Sequence, residues 1–233
     1  HMEGNKTLIP AGNTTKSEYW RKLSRISWWD MFYRDSSEGI PFFLDLKEKI
    51  KKAINPDYLL IDTRTGITEI SSITMSLLAD TIVLFAANNE ENICGIEQII
   101  RTVTRKENNL FNKQKDIHFV LTRIPLPVRP EEVSIEEEIK NQVKERVNES
   151  FEEEDQEVKS FNVIHSDRDT EISGRASICY RFNRKDDNIK STIIPEYLSL
   201  FESLISNEIS NDEREEFTNF INTKELLNSV YNN

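Results

Sequence analysis

The nonamer YLLIDTRTG, residues 58–66, holds the side chains best suited to chemistry in this 233-residue chain. Asp62 follows four hydrophobic residues, Tyr58 to Ile61, and Gly66 comes four positions later. A carboxylate at the tip of a hydrophobic strand can hold Mg²⁺ directly or through water, because Mg²⁺ takes oxygen ligands and keeps several of its own waters. A glycine closing the next loop lets its backbone N–H approach a terminal phosphate. The pair therefore suits a nucleoside-triphosphate site, with Asp62 as the catalytic, Mg-organising group. The same residues equally suit a plain turn, in which Asp62 caps the loop and Gly66 only supplies a positive φ.

Other combinations carry less. His118 lies inside a predicted strand and His165 at a strand end, with no partner at metal-ligand spacing. Ser166, His165 and Asp167 contain the types of a hydrolase triad, but adjacent residues point in different directions and no nucleophile elbow is present. Cys94 and Cys179 cannot by themselves form a disulfide framework or a zinc site, and are expected as core thiols. Asn88 and Asn89 follow a strand; they are first turn residues and only second ligand contacts.

These residues are positioned by alternating hydrophobic blocks and helical patterns. Strands are expected over 7–13, 57–62, 80–85, 117–122 and 161–165. Helices are expected over 16–34, over 41–54 with Pro41 in the first turn, and over 69–78 and 91–106. Ser134 reads as the N-cap of the next helix, with Glu137 completing a capping box. Two further helices, 195–209 and 212–231, close the chain. Strands that are hydrophobic throughout, without alternation, are buried on both faces. With helices between them they predict a mostly parallel α/β sheet flanked by helices on both faces. Ligands of such sheets bind outside the carboxyl ends of the strands. Those ends are Gly12-Asn13, Asp62 to Gly66, Ala87 to Asn89, Thr122-Arg123 and Ser166-Asp167.

The stretch YLLIDTRTGITEISSITMSLLADTIVLFAANNEENICGI, residues 58–96, resembles the switch-II region of the ParA/MinD-like P-loop ATPases. It is especially similar to a bacterial subgroup that reads DYVLIDSRTG there. LIPAGN at 8–13, HFVLTRIP at 118–125 and NVIHSDRD at 162–169 fall where that family has further strands. The resemblance implies an incomplete P-loop NTPase, Rossmann-like core. Asp62 would organise Mg²⁺ through water, and Gly66 would donate its N–H near the γ-phosphate. Thr63 and Arg64 would lie in the nucleotide-sensing loop. Thr122 and Arg123 would contact adenine, where the family often has Asn, and Ser166 and Asp167 would line the base pocket.

One departure changes the expectation. The family opens with a glycine-rich phosphate loop, where consecutive N–H groups and a lysine grip the phosphates at a helix N-terminus. This sequence contains no Gly-Lys pair, and Gly4-Asn5-Lys6-Thr7 has a single glycine. The family's first strand, phosphate loop and switch I would all precede residue 1. The sequence therefore reads as the later part of a longer ATPase or as a shortened relative, with His1-Met2 as the remnant of a cleaved tag. Mg and ATP are cofactors of the intact family, and weak or no ATP binding is expected of this chain. The alternatives are a non-catalytic protein–protein interaction module, or one half of a split ATPase.

Charge narrows the partners. The net charge is −11; residues 131–157 hold twelve acidic and three basic side chains, and the chain from Glu196 holds eight acidic and two basic. Displacing counterions from nucleic-acid phosphates requires clustered Lys and Arg. The basic residues Arg181, Arg184, Lys185 and Lys190 are diluted by Asp186 and Asp187, so nucleic acid is disfavoured. The final amphipathic helix carries Lys224 against Glu215, Glu216 and Glu225, which disfavours an anionic membrane. A protein partner or a homodimer remains. The aromatic set Trp20, Trp28, Trp29, Phe32, Tyr33, Phe42 and Phe43 is expected first as packing and second as a partner face. The longest strongly apolar run, Ile82 to Ala87, is far shorter than the ~18 residues of a membrane span. With two cysteines, a cytoplasmic location is the simplest expectation. Domain organisation is expected as a nucleotide-binding domain over 3–209 and a terminal helix over 210–233.

Overall fold

The computed structural model describes residues 7–10, 12–34, 38–63, 66–105, 114–127, 129–153, 155–166, 193–206, 208 and 210–215. Arg64, Asp167, Cys179, the basic residues at 181–190 and most of the expected terminal helix lie outside the described residues. The chain divides into two compact units, His1–Ala79 and Asp80–Asn233.

Among its described residues the first unit is helical. The expected helix over 16–34 is two short ones, α1 (Ser17–Leu23) and α2 (Trp28–Phe32). Serines cause the break, because short hydroxyl side chains compete for the backbone groups a helix needs. Ser24 Oγ donates to the Arg21 carbonyl at 3.1 Å, and Ser27 Oγ accepts the Asp30 N–H at 3.2 Å, starting α2 as its N-cap. α3 (Gly39–Ile54) ends at Asn55, whose φ of 48° places its N–H 2.9 Å from the Lys51 carbonyl. Phe32 of α2 stacks on Phe43 of α3 with centroids 5.7 Å apart. α4 (Glu69–Ile73) opens with a reciprocal Thr68–Ser71 capping box and runs into a π-helical turn, Thr74–Leu78. Lys47 Nζ donates to the Leu78 carbonyl at 2.8 Å, tying that turn to α3.

The expected strands at 7–13 and 57–62 are not formed. Their described residues have no strand pairing, and the side chains are exposed, with Leu8 at 86% and Leu60 at 90% of full exposure. A hydrophobic run becomes a buried strand only when a neighbouring strand completes its N–H and C=O groups. The described residues of the first unit offer no strand for this purpose.

The second unit holds the sheet. Its order is β1 (Thr81–Ala87), α5 (Glu90–Thr104), β2 (Asp116–Pro125), α6 (Pro130–Asn148), β3 (Ser160–Ser166) and α7 (Ile193–Ile205). The three strands are parallel and ordered β1-β2-β3, with Leu84 opposite Phe119 and Phe119 opposite Phe161. This is the α/β arrangement expected from the sequence. β2 is central and its middle is buried: Ile117, Phe119, Val120 and Leu121 are at most 1% exposed. Val120 and Ile164 pack with Leu200 of α7, and Val83 joins them. The alternate residues Ile82, Leu84, Ile117 and Phe119 are buried as well, and α5 packs on β1 and against α6.

α6 starts at Pro130, four residues before the expected cap. The Glu132 carboxylate reaches back over the helix start, accepting the Arg129 backbone N–H at 3.1 Å and its Nε–H at 2.9 Å, and Ser134 lies inside the helix. Proline suits the first helical turn because it lacks the N–H that would go unpaired there. Val143 and Val147 are the buried part of its apolar stripe, whereas Ile135 is 56% exposed. Glu131, Glu137, Glu138 and Glu145 are exposed, whereas Glu136 is only 12% exposed.

Candidate functional site

The carboxyl ends of the three parallel strands lie along one edge of the sheet. β1 ends at Ala87, and the chain turns at once into α5, with the Asn89 N–H donating to the Ala87 carbonyl at 2.8 Å. Asn89 Oδ1 accepts the Asn92 N–H at 2.9 Å, so Asn89 is the helix N-cap. Asn88 is exposed beside it. On β2, Thr122 Oγ1 donates to the Ala86 carbonyl at 3.1 Å and spans the two strand ends. Arg123 follows with a φ of 61°, at a shift in register where Thr122 faces Ile164 but Ile124 faces His165. This β-bulge leaves Arg123 unpaired in the ladder and exposed. Ser166 ends β3 opposite Pro125.

Thr122, Arg123 and Ser166 are thus brought to one edge, as the sequence suggests. Asp62, Thr63 and Gly66 belong to the first unit. Asp62 and Thr63 are exposed and outside any strand. Gly66 has a φ of 84°, and its carbonyl accepts Ser71 Oγ at 3.2 Å. That positive φ is the feature the plain-turn reading of the nonamer names.

The start of α5 is electrostatically unusual for an anion site. Its first turn carries Glu90 and Glu91, which oppose the anion affinity of a helix N-terminus. Arg146 of α6 grips Glu90 with Nη1 and Nη2, each at 2.9 Å, and donates from Nε to Glu97 at 2.9 Å. Hydrogen bonds from Arg146, then from Cys94, hold the Glu90 carboxyl down at about 2. Cys94 is exposed rather than a core thiol, and its Sγ donates to Glu90 at 3.1 Å. That hydrogen bond to a carboxylate raises the thiol's pKa, which keeps it protonated and unreactive.

The two described histidines differ. His118 is buried in β2, with Nδ1 2.8 Å from Ser160 Oγ, which in turn lies 3.1 Å from Ser203 Oγ of α7. Burial lowers its pKa, so it is a neutral packed histidine. His165 lies at the end of β3 between two carboxylates. Nδ1 is 2.7 Å from Glu196 Oε1, and Nε2 is 3.1 Å from Glu136 Oε2. Its backbone N–H donates to Glu196 Oε2 at 2.9 Å. The carboxylates come from positions 29 residues earlier and 31 residues later, so no local spacing announces the cluster. Among the described residues no group of His, Cys, Asp and Glu has a metal-holding arrangement.

A depression where the chain runs from α6 into β3 is lined by Glu145, Glu149, Glu153, Asp155 and Glu157. Its charge repels phosphates. No helix among the described residues is long and apolar enough to cross a membrane.

Comparison of the chain with protein-family models, curated proteins and solved structures gives no match. The fold and the sheet edge define a class: a parallel α/β unit with polar residues at the carboxyl ends of its strands.

Proposed function

We propose that this chain is the carboxy-terminal part of a ParA/MinD-like ATPase that acts as a nucleotide-dependent switch, and that it binds Mg·ATP weakly or not at all by itself. The observation that carries the reading is the convergence of Thr122, Arg123 and Ser166 on the carboxyl edge of a parallel sheet, with the central strand bulged at Arg123. Ligands of open parallel sheets bind at that edge. The YLLIDTRTG stretch supplies the second support, with Gly66 lacking the side chain that would keep a phosphate from its N–H. In the intact protein, Mg and ATP would order the loop at 63–66 and alter contacts with a protein partner or second subunit. Weak binding follows from the sequence: Asp62 and Gly66 do not replace several oriented N–H donors and a lysine.

Thermal melting with Mg·ATP tests this. Ligand at about 100 times its Kd stabilises a protein by about 2.7 kcal/mol. This chain is expected to melt at the same temperature with and without Mg·ATP. An upshift that Asp62→Ala abolishes would overturn the weak-binding reading. The switch reading is tested on the gene's longer product, where a glycine-rich loop with lysine encoded upstream of Glu3 is expected. There the upshift should appear, and Asp62→Ala should remove it. A native start at Met2 would favour the non-catalytic interaction module instead. That module is supported by the exposed aromatic side chains of the first unit: Trp29 and Tyr33 stack 5.1 Å apart while 67% and 65% exposed. Exposed Trp and Tyr are favoured anchors of protein interfaces.

A further inference from the structure

We propose that His165 is a pH-operated clasp: as an imidazolium it ties α6 and α7 to the end of β3, and loss of its proton frees the start of α7.

The geometry demands the charged form. Both ring nitrogens face a carboxylate oxygen, Nδ1 that of Glu196 at 2.7 Å and Nε2 that of Glu136 at 3.1 Å. A neutral imidazole carries one N–H, so one of its nitrogens would turn a lone pair toward a carboxylate. The three side chains are only 12–18% exposed, and water does little to screen such a clash. Nε2 and Glu136 Oε2 are buried 3.1 Å apart with no hydrogen bond between them, so their attraction depends on the ring's positive charge. The imidazolium also separates two carboxylates that would otherwise repel each other.

The charged groups facing His165 are Glu136 on α6 and Glu196 on α7. Lys140 lies 3.6 Å from the other oxygen of Glu136 and offsets part of its charge. Burial of the ring lowers the pKa of His165, but the hydrogen bond to Glu196 and the negative charges of Glu196 and Glu136 outweigh it, and the net direction is upward. A histidine raised in the folded state stabilises fully below its unfolded pKa. That stabilisation is lost as pH rises through the folded value. The clasp is therefore shut below the ordinary histidine value of about 6.5 and opens as pH rises through the raised one. α7 is the element released, because Glu196 stands in its first turn and also accepts the His165 backbone N–H.

The test follows the ring nitrogens by NMR in the full chain, with His165 assigned by comparison with His165→Gln. The expected result is a ring protonated at both nitrogens at about pH 6 and titrating above the ordinary histidine value of about 6.5. Glu196→Gln and Glu136→Gln should each move the titration down. Hydrogen exchange of α7, corrected for intrinsic rates, should quicken between about pH 6 and about pH 9 by roughly tenfold per unit of raised pKa. The same pH step should leave α7 exchange in Glu196→Gln little changed. A ring that titrates at or below about 6.5, or a titration unmoved by either glutamine variant, would sink the proposal. So would α7 exchange independent of pH in the unaltered chain.

Discussion

Arg123 holds a φ of 61° at the carboxyl end of the central strand, a region of backbone space that costs a side-chain-bearing residue about 1–2 kcal/mol. It is exposed, so no packing requires an arginine there. Arg123→Gly is expected to raise stability by about 0.5–1 kcal/mol, the relief of strain less the extra chain entropy of glycine. Urea unfolding of the two chains measures it. A loss of stability instead would mean that the arginine side chain holds the bulge. The chemistry of this residue was legible as a type and a place, a cation after a strand. Its bulge was not, because a register shift depends on which residues of β3 lie opposite. His165 was legible only as a lone histidine, since Glu136 and Glu196 meet it through two other elements.

At the scale of elements, β2 bears the packing. Phe119 is fully buried at the centre of the sheet, paired with Leu84 on one side and Phe161 on the other. Phe119→Ala should cost about 3–5 kcal/mol, the lost transfer energy plus the cavity left behind. Denaturant unfolding checks this, and a cost below about 1 kcal/mol would show that neighbouring strands collapse into the space. The hydrophobic runs at 80–85, 117–122 and 161–165 became β1, β2 and β3 with ends displaced by a few residues. The run at 57–62 has the same composition and stayed outside any strand. Composition marks a segment that would gain by burial, and only a pairing neighbour turns it into a strand. Local hydrogen bonds decided the helix starts too: Ser27 cut the aromatic helix in two, and Arg129 with Glu132 began α6 upstream of the Ser134 box.

At the scale of the whole molecule, charge and sheet belong to the same unit. The first 79 residues carry eleven basic and ten acidic side chains, and the remainder nineteen and thirty-one. The acidic surplus therefore lies with the sheet-bearing unit, and it disfavours a phosphate backbone as partner. All three strands and the helices joining them lie within that unit. A chain beginning at Asp80 is thus expected to fold on its own, with a cooperative melt and the near-ultraviolet circular dichroism of packed aromatics. A non-cooperative melt with the far-ultraviolet signal retained would show that its core needs the first 79 residues.

By itself the sequence determined the α/β class, the hydrophobic runs that became β1, β2 and β3, and the polar residues at the strand ends. Each follows from hydrophobic period and short-range chemistry, which a linear chain carries openly. Tertiary structure alone decided that 57–62 would stay outside any strand, that Arg123 would sit in a bulge, and that two glutamates would close on His165. Those outcomes depend on groups brought together from distant positions, and no local spacing encodes them.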